Sequence, residues 1–276
     1  MAVDVVESPF GSEPVQEVSL DNPPLAQVLV QVRFSQAAQL WDAHDETVRA
    51  IVTALRSDYP IFNKQNETSL KIGPAGVAPV QEETTLWQLH SPNKDTMVSF
   101  STTFFALATS NYVSRTKFLE RLTSAWQDFS TIVNPIYPER IGVRYINRIA
   151  DPEKIDRIAK LVRSEMVGEI TTEIGDVTRQ HSIAQASYEL GEGESFQARW
   201  GLLPPGAAFE ASVPPASTQS WILDLDAAVQ TNSGPLTTED LEQQVRHLTQ
   251  RTYRYFRWTV KDDFLAEYGG DLNGHS

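Results

Sequence analysis

Two ten-residue stretches limit what this chain can fold into more than anything else in it. LAQVLVQVRF, at 25–34, puts Val28, Val30, Val32 and Phe34 on one side and Gln27, Gln31 and Arg33 on the other. RIGVRYINRI, at 140–149, puts Ile141, Val143, Tyr145, Asn147 and Ile149 on one side and Arg140, Gly142, Arg144, Ile146 and Arg148 on the other. Successive side chains of a strand point to opposite faces, so a period of two marks a half-buried strand. An apolar sheet face must be covered by another layer.

The segments between supply that layer. From Leu40 to Tyr59, the residues Trp41, Val48, Ile51, Val52 and Leu55 recur at helical spacing, and Tyr59-Pro60 ends the run. From Ser114, the residues Phe118, Leu122, Trp126, Phe129 and Val133 form a second helical stripe, closed by Pro135 and Pro138. Ser114 is the expected N-cap, without a capping box because Lys117 stands where a glutamate would. SLKIG, TTLWQLHS and TMVSFSTTFFALAT read as three strands, the middle one bounded by a Pro92-Asn93 turn.

The second part of the chain repeats the theme. HSIAQASYEL, SFQARWGLL and TQSWILDLDAAV read as strands, followed by a helix from about Thr238 and a short one over VKDDFLAEY. Trp-x-Leu before a proline occurs in both parts, at Trp87, Leu89 and Pro92 and at Trp200, Leu202 and Pro204, which raises an ancient duplication of a β-β-β-α unit as an expectation. The expected class is α+β, two halves each built of sheet plus helix. The expected organisation is an extended lead over 1–24, a β-α-β-β-β-α-β half over 25–150, a helical connector over 151–178, a β-β-β-α-α half over 179–268 and a disordered tail over 269–276.

Composition narrows the chemistry. The 276 residues include no cysteine, which excludes disulfides, thiolate catalysis and cysteine-ligated metal. The first twenty residues lack a basic start and a signal-type apolar core, and no apolar run approaches membrane-spanning length, so a cytoplasmic protein with no membrane partner is expected. Net charge is −13: 12 basic against 16 acidic residues up to residue 150, and 11 against 20 beyond it. Such a balance repels a phosphate backbone and disfavours broad nucleic-acid binding.

Within an acidic chain, the row of Arg140, Arg144 and Arg148, with Arg33 on the polar face of the first strand, stands out. Side chains four apart on a strand are about 13 Å apart. The row is therefore a basic stripe, either an anion site or a structural feature paired to acids elsewhere. A guanidinium cannot shed its charge, so a buried one needs such a partner. WILDLDA offers Asp224 and Asp226 on one strand face, about 7 Å apart. They are partners for the arginines, with weak candidacy as metal ligands because no third ligand is visible. Asn147, on the apolar side, must find hydrogen-bond partners if buried. Tyr253, Phe256 and Trp258, interleaved with Arg246, Arg251, Arg254 and Arg257, form a possible protein interface. No pair among His44, His90, His181, His247 and His275 has metal-ligand spacing, and no nucleophile elbow, P-loop or dinucleotide fingerprint occurs. No catalytic residue and no cofactor is expected.

NPPLAQVLVQVRF, RIGVRYINRI and WILDLDA together make the chain resemble an uncharacterised, sporadically distributed family of bacterial proteins, over most of its length. The resemblance carries over no site residues. Patchy occurrence implies an accessory gene, of the kind found in defence or toxin–antitoxin loci. The leading expectation is a cytosolic binding or regulatory protein acting on a protein partner or on a second copy of itself, through the proline-rich 204–217 loop or the aromatic C-terminal helix. The alternatives are a metal-assisted phosphohydrolase gripping nucleotide or polyphosphate in a tunnel, against which the missing Glu-x-Glu-x-Lys strand weighs, and a nucleic-acid binder.

Overall fold

A computed structural model describes residues 6–40, 45–71, 80–134, 136–172, 174–177, 179–207, 209–210, 212–231 and 234–271, without the side chains of 45, 67–71 and 80–84. It is a mixed α+β protein. Nine strands, β1 (Leu25–Phe34), β2 (Ile61–Lys71), β3 (Val80–His90), β4 (Thr96–Phe100), β5 (Phe104–Thr109), β6 (Pro138–Ile149), β7 (Ser182–Gly191), β8 (Glu194–Leu203) and β9 (Ser220–Gln230), form a sheet in the order β2-β3-β4-β5-β1-β6-β9-β8-β7. The helices are α1 (Asp45–Leu55), α2 (Arg115–Val133), α3 (Pro152–Asp156), α4 (Ile158–Leu161), α5 (Ser164–Val167), α6 (Thr238–Thr259) and α7 (Asp262–Glu267). Two compact units divide the chain, and their boundaries fall inside β1, β6, β9 and α6 rather than in linkers.

One unit, residues 29–142 and 229–245, is termed the meander unit. Its β2, β3, β4 and β5 run antiparallel in sequence order, with Trp87 opposite Phe100 and Val98 opposite Leu107. The run 96–109, expected as one strand, forms two. Ser101 donates its N–H to the Phe104 carbonyl at 2.9 Å while its hydroxyl accepts from Thr103 N–H at 3.1 Å, closing a tight turn. Serine and threonine hydroxyls compete with ladder bonds in this way, and the Ser-Thr-Thr interruption was the available signal. β2 begins at Ile61, well before the SLKIG segment, because its polar residues pair in register with β3.

Helix α2 starts where Ser114 accepts the Lys117 N–H at 3.2 Å, and it stops at Asn134, whose backbone is extended. Its stripe Phe118, Leu122, Trp126, Phe129 and Val133 is buried. Phe129 lies 5.0 Å from Phe105, 5.5 Å from Phe100 and 6.1 Å from Phe34, ring centre to ring centre. Trp87 joins this core by stacking on Phe100. Helix α1 packs beside α2 and buries Ile51 and Leu55. It begins at Asp45, after a 3-10 turn over Ala38–Leu40; Trp41 and His44 lie outside the described residues.

The other unit, residues 1–28, 143–228 and 246–276, is termed the arginine unit. β7 and β8 form an antiparallel hairpin whose turn carries positive φ at Gly191, Glu192 and Gly193. Gly201 in β8 has φ +139°, and a Cβ there would lie 1.9 Å from the Ser182 carbonyl oxygen. The 151–178 connector contains three short helices that bury Ile155, Ile158, Leu161 and Met166. Trp200, unlike Trp87, is only half-buried. Of the expected tail, 272–276 lie outside the described residues.

Candidate functional site

The most concentrated chemistry in the arginine unit is a cluster of charges on one side of β6, β8 and β9. β6 presents Arg144, β8 presents Arg199, and β9 presents Asp224, which is 2% exposed. Arg144 donates Nε to Asp224 Oδ1 at 2.7 Å and Nη2 to Oδ2 at 3.1 Å. Arg199 donates Nε and Nη2 to Oδ2 at 2.9 and 2.6 Å. A carboxylate accepts only a handful of such bonds, so Asp224 is fully engaged by two guanidiniums.

A second carboxylate completes the cluster. Arg144 Nη1 donates to Glu210 Oε2 at 2.6 Å, and the Arg199 guanidinium lies over the Phe209 ring, 4.6 Å from its centre. Burial works against the charge of Arg144. Hydrogen bonds and attraction from Asp224, then from Glu210, outweigh that penalty and hold its pKa above the ordinary arginine value. The two arginines and two acids sum to zero formal charge.

Phe209 and Glu210 belong to the proline-rich loop between β8 and β9. That loop is tied down at several further points. Arg148 Nη1 donates to the Pro214 carbonyl at 2.5 Å, and Ser212 Oγ donates to Gln27 Oε1 at 2.9 Å. Thr218 Oγ1 donates to the Ala150 carbonyl at 2.8 Å, and Gly206 N–H to the Ala216 carbonyl at 2.8 Å. Val213 is buried beneath it, while Pro205, Pro214, Pro215, Ser217 and Thr218 are exposed.

The structure thus brings together only part of the predicted set. Arg144 meets Asp224, while Arg148 meets a loop carbonyl. Arg33 and Arg140 belong to the meander unit, where Arg33 is exposed and the Arg140 guanidinium fits over Gly142, Nη1 2.6 Å from where a Cβ would stand. Asp226 is half-buried next to Leu225 in β9. As a metal-ligand candidate Asp224 is already committed to arginine, and among the described residues no three His, Asp or Glu side chains gather as a metal would need. Asn147 is buried and donates Nδ2 to the Leu223 carbonyl at 3.3 Å, tying strand to strand.

The aromatic residues of α6 are engaged within their own unit. The Tyr253 hydroxyl accepts Val18 N–H at 2.7 Å and donates to the Gln16 carbonyl at 3.2 Å. Phe256 meets Phe264 edge-on at 5.6 Å. Trp258 meets Tyr255 edge-on and sits beneath Arg163, whose Nε donates to the Trp258 carbonyl. Arg254 is buried and grips the N-terminal lead, donating Nε to the Ser8 carbonyl at 3.0 Å and Nη1 to the Glu13 carbonyl. His247 pairs with Glu194 at 2.5 Å.

Sequence reasoning did not single out Arg199, Phe209 or Glu210. Alternation within SFQARWGLL did carry a signal for Arg199, which shares a face with Gln197. A loop has no periodicity to reveal Glu210. Comparison with known proteins adds no further site: no family model matches this chain, and neither does any curated protein.

Proposed function

We propose that this chain is a non-catalytic binding protein that acts through contacts with a protein partner, and that the loop between β8 and β9 is the contact surface. The observation that carries this reading is the neutral Arg144–Arg199–Asp224–Glu210 cluster and its use. Its charges answer one another, and together with Arg148 they hold an exposed, proline-rich loop in one conformation. Holding the exposed prolines of the loop in place before contact reduces the ordering cost of association. A catalytic cluster would instead aim such groups at a substrate position. The aromatic face of α6 supports this choice by exclusion, since Tyr253, Phe256 and Trp258 already pack within the molecule.

A photo-crosslinking residue in place of Pro215, expressed in the native host, tests this reading. A control places the same residue at Val113, an exposed position of the meander unit. The expected result is a discrete crosslinked protein from position 215 that is absent from position 113. Identical products from both positions, or none from either, would remove the loop as the contact surface. A thermal-shift series with nucleotides, polyphosphate and divalent cations is expected to leave Tm unchanged. A ligand of the native state must raise stability, so an upward shift would favour the phosphohydrolase alternative.

A further inference from the structure

The way the loop closes over Arg144 and Arg199 resembles a bound peptide more than a connecting segment. Two adjacent loop residues meet the two guanidiniums. Phe209 offers its ring face to the Arg199 guanidinium, and Glu210 offers a carboxylate to Arg144 Nη1. Beneath them lie the guanidiniums of Arg144 on β6 and Arg199 on β8, both held by the buried Asp224 of β9. The lid is less enclosed than the floor: Glu210 is 31% exposed, against 15% for Arg144 and 2% for Asp224. The floor is enclosed, while the lid borders the solvent from which a competing segment would arrive.

We infer that Phe209–Glu210 is an internal stand-in for a partner's segment, and that the recess formed by Arg144 and Arg199 recognises an aromatic residue followed directly by an acidic one. This names the partner chemistry within the binding-protein reading and rests on it. Arginine suits both halves of such a ligand, since its planar guanidinium stacks on aromatic faces and bonds carboxylates through parallel N–H groups. The tethered segment competes at an effective concentration in the millimolar range, as short linkers do. A partner therefore displaces it only by adding contacts to the exposed prolines of the same loop. The recess is occupied at rest and becomes available as the loop is engaged.

The test uses the full chain and a fluorescein-labelled peptide of its own residues 207–212, AAFEAS. Read by fluorescence anisotropy, the Phe209→Ala, Glu210→Gln double variant is expected to bind this peptide at least about tenfold more tightly than the unaltered chain, because the tethered competitor is gone. Peptides with Phe replaced by Ala or Glu by Gln should each lose about tenfold or more, the value of one charged or stacked contact of about 1.4 kcal/mol. Adding Arg199→Gln to the double variant should abolish the gain. Arg199 is chosen over Arg144 because Arg144 then still answers Asp224. No binding to the double variant, or equal binding of all three peptides, would overturn the inference. A crosslinked partner at position 215 could still stand after that result, so the two readings fail separately. Should the double variant not fold, hydrogen exchange of 204–219 in the unaltered chain replaces it. Excess AAFEAS must accelerate that exchange, and an unchanged rate would overturn the inference.

Discussion

In the meander unit, the buried side chains among the described residues include Phe34, Tyr59, Trp87, Phe100, Phe105, Phe118, Trp126, Phe129 and aliphatic neighbours, with Thr96, Ser99, Ser101 and Thr109 but no charged residue. The arginine unit buries Asp224, Arg254 and Arg257 as well as the rings of Tyr255, Phe196 and Phe264. A hydroxyl carries no charge and is satisfied by one or two neutral or charged neighbours. A buried ion needs partners brought from distant parts of the chain. The first unit is thus specified by shape and the second by pairing, with Arg144 and Asp224 separated by 80 positions and Arg254 and Ser8 by 246.

Substitution at the centre of each unit should expose that difference. Asp224→Ala leaves two guanidiniums facing an apolar side chain, and breaking a buried pair from one side costs about 3–5 kcal/mol. Replacing Arg144, Arg199, Asp224 and Glu210 together with Met, Met, Leu and Gln should recover most of that loss in a urea melt, since apolar replacement of a whole ionic cluster is often neutral. A quadruple variant as unstable as Asp224→Ala would show that packing, not pairing, governs this unit. In the meander unit, Phe129→Ala should cost a similar 3–5 kcal/mol by creating a cavity, and here Phe129→Leu should recover most of the loss without any partner change. If Phe129→Leu is as damaging as the alanine variant, the aromatic contacts to Phe100 and Phe105 are specific rather than volumetric.

Arg257 offers a smaller test with the opposite sign. It is 5% exposed, and its Nε meets no hydrogen-bond acceptor among the described residues. Loss of solvation lowers its pKa, against the raising influence of Tyr253 and Asp262. An unsatisfied buried donor costs about 1–3 kcal/mol, so Arg257→Met should raise stability by about 1 kcal/mol. A destabilised variant would mean that the guanidinium is answered in solution.

The smallest effect concerns acid. In the turn between β3 and β4 the Asp95 carboxylate accepts from Asn111 Nδ2 at 3.0 Å and from the Ser91 hydroxyl at 2.8 Å, and these bonds lower its pKa. A carboxyl with a depressed native pKa contributes its stability fully above its ordinary value, about 4, and loses it as pH falls through the native value. Stability should therefore decline below about pH 4, and Asp95→Asn should flatten that decline slightly when melts are compared across pH. An unaltered acid limb would remove Asp95 as a contributor.

How much of this was legible follows from the same contrast. The alternation of β1 and β6, the α2 stripe and its Ser114 cap could all be read, because periodicity and capping are local. Asp224 could be named as an arginine partner because both lie on the polar faces of alternating strands. The division of 96–109 into β4 and β5 was harder, since Ser101 sits in a run of strong β-formers and only its hydroxyl marks the turn. Glu210 and the grip of Arg254 on Ser8 and Glu13 were out of reach, because a loop carboxylate and a backbone carbonyl leave no pattern in the chain. Long-range pairing is a property of the folded topology, not of any window of sequence.

The dispersed make-up of the arginine unit also sets a timetable for its assembly on the ribosome. Translation proceeds at about 5–20 residues per second, so Arg144 exists for several seconds before Asp224 is made, and Ser8 waits longer still for Arg254. During that interval Arg144 lacks the carboxylates that answer it in the folded protein. Slowing elongation upstream of β9 should therefore lower the yield of correctly folded protein, while the 29–142 segment, nearly complete in one stretch, should be indifferent to it.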